Sequence, residues 1–121
     1  MKRIIITPKE AKVLESNGAL KIEDLHELIE TDVIDIITRK IGGNVYQIIV
    51  DDEGNLKQNQ ATARALDSEE WLVGNLIVTS YDSEGEEKGL EDEDIVNVWA
   101  HIIKTKNPNY AFLNYCCRAG I

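Results

Sequence analysis

Asn59, Gln60, Thr62 and Arg64 place two amides, a hydroxyl and a guanidinium within six residues of the run DDEGNLKQNQATARAL, residues 51–66. Such groups make directional hydrogen bonds to phosphate, ribose or protein backbone. Loops carry recognition more often than strands do, so the run is a candidate ligand or partner site. The competing reading is structural: Asn59 caps a short helical turn over QATARAL, the alanines pack inward, and Arg64 pairs with a neighbouring carboxylate. Both readings stay open on sequence alone.

The stretch DSEGEEKGLEDED, residues 82–94, holds eight acidic residues and one lysine, Lys88. Glu84, Glu86 and Glu87 read either as a solvated hairpin tip leading into a helix start or as an acidic face offered to a basic partner. Asp82, Glu84, Glu86 and Glu93 imitate calcium-loop spacing, but Glu87 stands where that loop needs glycine, which argues against calcium. His26 and His101 have no Cys or His at helical spacing and read as surface or boundary residues. Tyr110, Phe112 and Tyr115 form an aromatic tail that stacks on a base or docks on the core or on a second copy. Adjacent Cys116 and Cys117 are poorly placed to bridge and lack a nearby acid–base partner, so reduced thiols are expected. Phosphate loop, dinucleotide fingerprint, nucleophile elbow and zinc spacing are all absent from the sequence, so neither enzymatic activity nor a cofactor is expected.

Composition narrows the partners. Thirteen Lys and Arg against 22 Asp and Glu give a formal net charge of −9, which disfavours duplex DNA and anionic membranes as direct ligands. The same charge suits an acidic surface that imitates nucleic acid towards a basic groove. A length of 121 residues fits one domain, 1–121, and 43% hydrophobic content is enough to fold it. The apolar run IIIT ends at Pro8, too short for a signal-peptide core, and no stretch approaches the roughly 20 apolar residues of a membrane span. A cytoplasmic location is expected.

The elements that must position these residues follow from periodicity. RIIIT is a strand stopped by Pro8, and residues 8–16 read as a short helix or turn terminated at Gly18. Ile22, Leu25, Leu28 and Ile29 recur at helical spacing, with Glu23 and Asp24 in the first turn. Gly42, Gly43 and Asn44 join two β-branched runs in a hairpin, and Leu72 to Tyr81 reads as one central strand around Gly74. Ile95, Val98, Trp99, Ile102 and Ile103 mark a second helix, ended by Pro108. The sum is an α+β domain, a mostly antiparallel sheet of about four strands with two main helices covering one face.

The order helix, strand, IGGNVYQIIVDDEGNLKQNQATARAL, then WLVGNLIVTSYD and an acidic helix start resembles the domain of unknown function 3846 family. Gly43, Asp52, Glu53, Gly54, Asn59, Ala61, Gly74 and Asn75 carry the resemblance, which spans roughly residues 20–105. The N-terminal KRIIITPKEAK is longer than the family pattern, and the tail from Tyr110 has no place in it. The resemblance implies a setting in phage, prophage or plasmid genomes, where small accessory proteins bind and disable host defence machinery; it supplies no catalytic residues. The expectation is a non-enzymatic accessory protein whose acidic surface binds a host protein. The alternative is a small-ligand binder, such as a sponge for a nucleotide signal, using Arg64, Asn59 and the aromatic tail across a homo-oligomer interface.

Overall fold

A computed structural model describes residues 1–53, 61–66 and 68–104. The β-branched run at the start forms β1 (Lys2–Ile6), and β2 (Ala11–Glu15) returns antiparallel to it. After α1 (Ile22–Ile29) come β3 (Ile34–Ile41) and β4 (Asn44–Asp51), a full-length hairpin pairing Ile41 with Asn44 and Ile34 with Asp51. Its two-residue turn has φ of 57° at Gly42 and 85° at Gly43, the left-handed region that only glycine enters without strain. β5 (Ala61–Ala65), β6 (Leu72–Val73) and β7 (Leu76–Thr79) follow, then α2 (Asp92–His101) and β8 (Ile102–Lys104).

The strands form two sheets, five strands in the order β2-β1-β7-β4-β3 and three in the order β6-β5-β8. All pairings are antiparallel, so the α+β class expected from sequence holds, with more strands than expected. The apolar β7 lies at the centre of the larger sheet, as a strand buried on both faces must.

The layering differs from expectation. Ile5, Ile49 and Ile77 on one face of the large sheet pack against Leu25 and Ile29 of α1. Ile4, Ile6, Ile48, Leu76 and Val78 on the opposite face pack against Val98 of α2 and against Ala63, Ala65 and Ile102 of the small sheet. The two helices therefore cover opposite faces, because the central strands carry apolar residues on both faces and each face needs a layer.

Four local expectations are corrected. Residues 11–15 form strand β2 rather than a helical turn, drawn into the ladder of β1. Residues 61–65 are strand, not the helical turn read over QATARAL, and Thr62 and Ala63 are fully buried there. Leu72 to Tyr81 is two strands in two sheets, divided at Gly74 with φ 73°. The second helix stops at His101, and Ile102 turns extended at φ −117° and ψ 140°, because the Ile102–Ile103 pair gains a ladder with β5.

Candidate functional site

The acidic stretch is held by its own chemistry. One oxygen of the Asp82 carboxylate accepts the backbone N–H of Glu84 at 2.9 Å and that of Glu86 at 3.0 Å, closing a turn around Gly85 at φ 83°. Glu84 and Glu86 stand exposed on that frame. Farther along, the Asp94 carboxylate accepts the Glu91 N–H at 3.0 Å and fixes the start of α2. Asp92 and Glu93 occupy the first turn, where the helix dipole favours negative charge. Asp82, Glu84, Glu86, Glu91, Asp92 and Glu93 all face solvent, and Lys2 reaches one of them, Asp92, at 2.9 Å. That contact raises the Lys2 ammonium above its ordinary range, first through the hydrogen bond and then through the charge of Asp92.

Glu87 behaves differently from its neighbours. Its side chain turns inward, only 6% exposed, onto the fully buried guanidinium of Arg3. Arg3 Nε donates to one carboxylate oxygen at 2.9 Å and Nη2 to the other at 2.8 Å, the bidentate geometry that arginine favours. Nη1 donates to Ser16 Oγ at 2.9 Å, and Thr79 Oγ1 donates to Glu87 at 2.6 Å. Burial pushes the Glu87 carboxyl up, but the bonds from Arg3 and Thr79 and the charge of Arg3 outweigh it and hold the group below its ordinary value. Glu87 therefore ties the acidic turn to β1 and is not part of the outward face.

Beside the turn lies an open hollow of about 560 Å³. Met1, Leu20 and Leu25 line its apolar side, and Tyr81, Glu86 and Glu87 its polar side. Burial, then the nearby Glu87 charge, raises the Tyr81 phenol, partly countered by Arg3, so it stays a neutral hydrogen-bonding group.

Asp51 and Asp52, at the start of the polar run, line a second depression of about 180 Å³ between the β3–β4 hairpin and β6. Asp35, Asp51, Asp52 and Glu70 line it together with Arg39 and Trp71. Arg39 pairs with Glu70 at 2.9 Å. Arg64 sits behind this wall, 7% exposed, with its guanidinium 5.8 Å from the Trp71 ring centre and Nη1 donating to the carbonyls of Ala65, at 3.2 Å, and Ser68. Thr62 Oγ1 donates to the Gly74 carbonyl at 2.5 Å. Both side chains thus brace the small sheet from inside it. Asn59, Gln60, Tyr110, Phe112, Tyr115, Cys116 and Cys117 lie outside the described residues.

Sequence reasoning passed over Arg3, Asp35, Arg39 and Glu70. A lone arginine inside RIIIT was the available signal for Arg3, since a charge on a strand with buried neighbours demands a partner. His101 Nδ1 lies 2.8 Å from the Asn97 carbonyl, a contact within α2. Among the described residues no three His, Cys, Asp or Glu are grouped to hold a metal ion, and no helix is long and apolar enough to cross a membrane.

No curated protein and no solved structure matches the chain. A family model described as a domain of unknown function does match, over residues 1–103, so the N-terminal strands that seemed additional to the pattern fall inside it while Tyr110 onward lies beyond it. With more than four-fifths of its length covered, and with the acidic turn, both helices and every strand but the last residue of β8 inside that span, the chain belongs to the domain of unknown function 3846 family.

Proposed function

We propose that this protein is a non-enzymatic binding module that offers its acidic turn and the start of α2 to a basic surface of another protein. Six exposed carboxylates on the turn and the start of α2 carry this reading, and one of them, Glu86, borders a hollow with an apolar wall. An interface needs an apolar centre to exclude water and a polar rim to set register; Met1, Leu20 and Leu25 of the hollow supply apolar surface and Glu86 a charged edge. The Asp82 bonds fix the turn before any partner arrives, which lowers the ordering cost of association. The setting implied by the family resemblance, a phage or another mobile element, makes a host protein the natural partner, and a nucleic-acid-binding defence factor has the basic groove such a surface fits.

A nucleotide-signal sponge is less well supported. Arg64 lines a cavity of only about 20 Å³, too small for a nucleotide, and the larger depression in front of Trp71 is bordered by four carboxylates that would repel phosphate.

The test is capture of host proteins on the immobilised protein at low and high salt, wild type against an E84Q/E86Q/D92N variant. A partner held at low salt, released as salt rises, and bound about tenfold more weakly by the variant is the expected result. Capture that ignores both salt and variant overturns the acidic-face reading, and a thermal shift with nucleotides alone would favour the sponge.

A further inference from the structure

β3 is an outer strand of the large sheet, eight residues long, and Ile36 on it is 45% exposed. Its backbone has a fixed alternation. The two-residue turn closes on the pair Ile41–Asn44, so residues 35, 37, 39 and 41 bond to β4 and residues 34, 36, 38 and 40 direct their N–H and C=O outward. Two of these outward groups are met by side chains of the same strand. The Ile36 N–H donates to Asp35 Oδ1 at 2.9 Å, and the Thr38 carbonyl accepts from Arg39 Nη1 at 2.9 Å.

The geometry points to a second copy of this chain as the occupant of this edge, pairing β3 antiparallel with β3 about a two-fold axis through Ile37. In that register Ile36 lies opposite Thr38 of the second copy, a pair whose backbone groups all point outward and can exchange both hydrogen bonds. The second copy's Thr38 carbonyl takes the place of the Asp35 carboxylate, and its Ile36 N–H takes the place of the Arg39 guanidinium. The two displaced side chains are then directly opposite each other, Asp35 facing Arg39 of the second copy and Arg39 facing its Asp35. Ile37 meets Ile37 between them on the same face. Shifting the axis to Ile36 or Thr38 keeps the ladder but leaves both charges facing apolar residues, so charge selects the register. The acid and the base stand two residues either side of the centre, which makes the strand complementary to itself.

This interface is separate from the acidic face, and salt distinguishes them. Two copies of net charge −9 repel each other, so added salt strengthens the dimer while it weakens capture of a basic partner. Sedimentation equilibrium of the wild type against T38P and D35R tests it. Proline at position 38 removes an outward N–H and leaves the β4 ladder intact. D35R sets like charges opposite each other twice and weakens the dimer about tenfold, and D35R/R39D restores it. Amide exchange of the wild type is independent of any variant's folding: the Thr38 and Lys40 amides gain protection as protein concentration rises, while the ladder amides of Ile37 and Arg39 are protected throughout. A wild type that is monomeric up to about 1 mM, or a dimer indifferent to T38P and D35R, overturns the proposal.

Discussion

Arg3 keeps no side-chain surface in water, and its charge is tolerated because Glu87 meets it at two points. Removing one member strands the other, so R3M or E87Q alone is expected to cost about 3–5 kcal/mol in urea unfolding, whereas R3M/E87L loses less than the sum of the singles. The pair also sets a pH signature. Because the folded Glu87 carboxyl sits below its ordinary value, its contribution is complete above the unfolded carboxylate range near ~4.3 and fades as pH falls through the folded value. The gap in stability between wild type and E87Q should therefore narrow in acid; a gap unchanged from pH 7 to about pH 2 would show that Glu87 does not titrate this way. The lone arginine in RIIIT signals the need for a partner but not which one, since Glu87 stands 84 positions away and looks like its exposed neighbours. Arg64 was legible as a residue of consequence, but its burial behind Trp71 depends on the strand it occupies.

Among the elements, helix α1, the β3–β4 hairpin and the start of α2 were legible because period, turn glycines and acidic first turns agreed with the final packing. Strand β2 was not: its burial pattern is that of an edge strand with Lys12, Val13 and Glu15 exposed, so no apolar face shows in its sequence. Ile102 and Ile103 continue a helical spacing, yet pairing with Ala65 and Arg64 decides their conformation. The hairpin turn offers a direct test of packing against strain. A Cβ on Gly42 would lie 2.4 Å from Asn97 Oδ1 and 2.6 Å from His101 Nδ1, while one on Gly43 meets nothing within 4 Å. Both positions have positive φ, so G43A should cost the backbone penalty of about 1–2 kcal/mol. G42A should cost at least about 1 kcal/mol more, since Asn97 must give up its 3.0 Å bonds to the Ile41 carbonyl and the Tyr46 hydroxyl. Equal losses in denaturant melts would mean that α2 yields freely to the turn.

For the molecule as a whole, the division into two sheets was hidden because it turns on Gly74, one residue within a largely apolar run, which sends Leu72–Val73 and Leu76–Thr79 to different ladders. The excess of carboxylates was legible from the first count, and it has a measurable effect on the isolated protein. Raising sodium chloride from about 0.02 to 0.5 M should raise Tm by a few degrees, about 1 kcal/mol, because screening relieves self-repulsion. A fall would mean that ion pairs such as Lys2–Asp92 and Arg39–Glu70 outweigh that repulsion. The join between α2 and β8 has one more effect. His101 is followed at once by Ile102, with no spacer between them, so the residue that ends the helix also places the first residue of the strand. Ile103, two residues past the helix end, is the rung that pairs with Arg64, so the register of the small sheet is set where α2 stops.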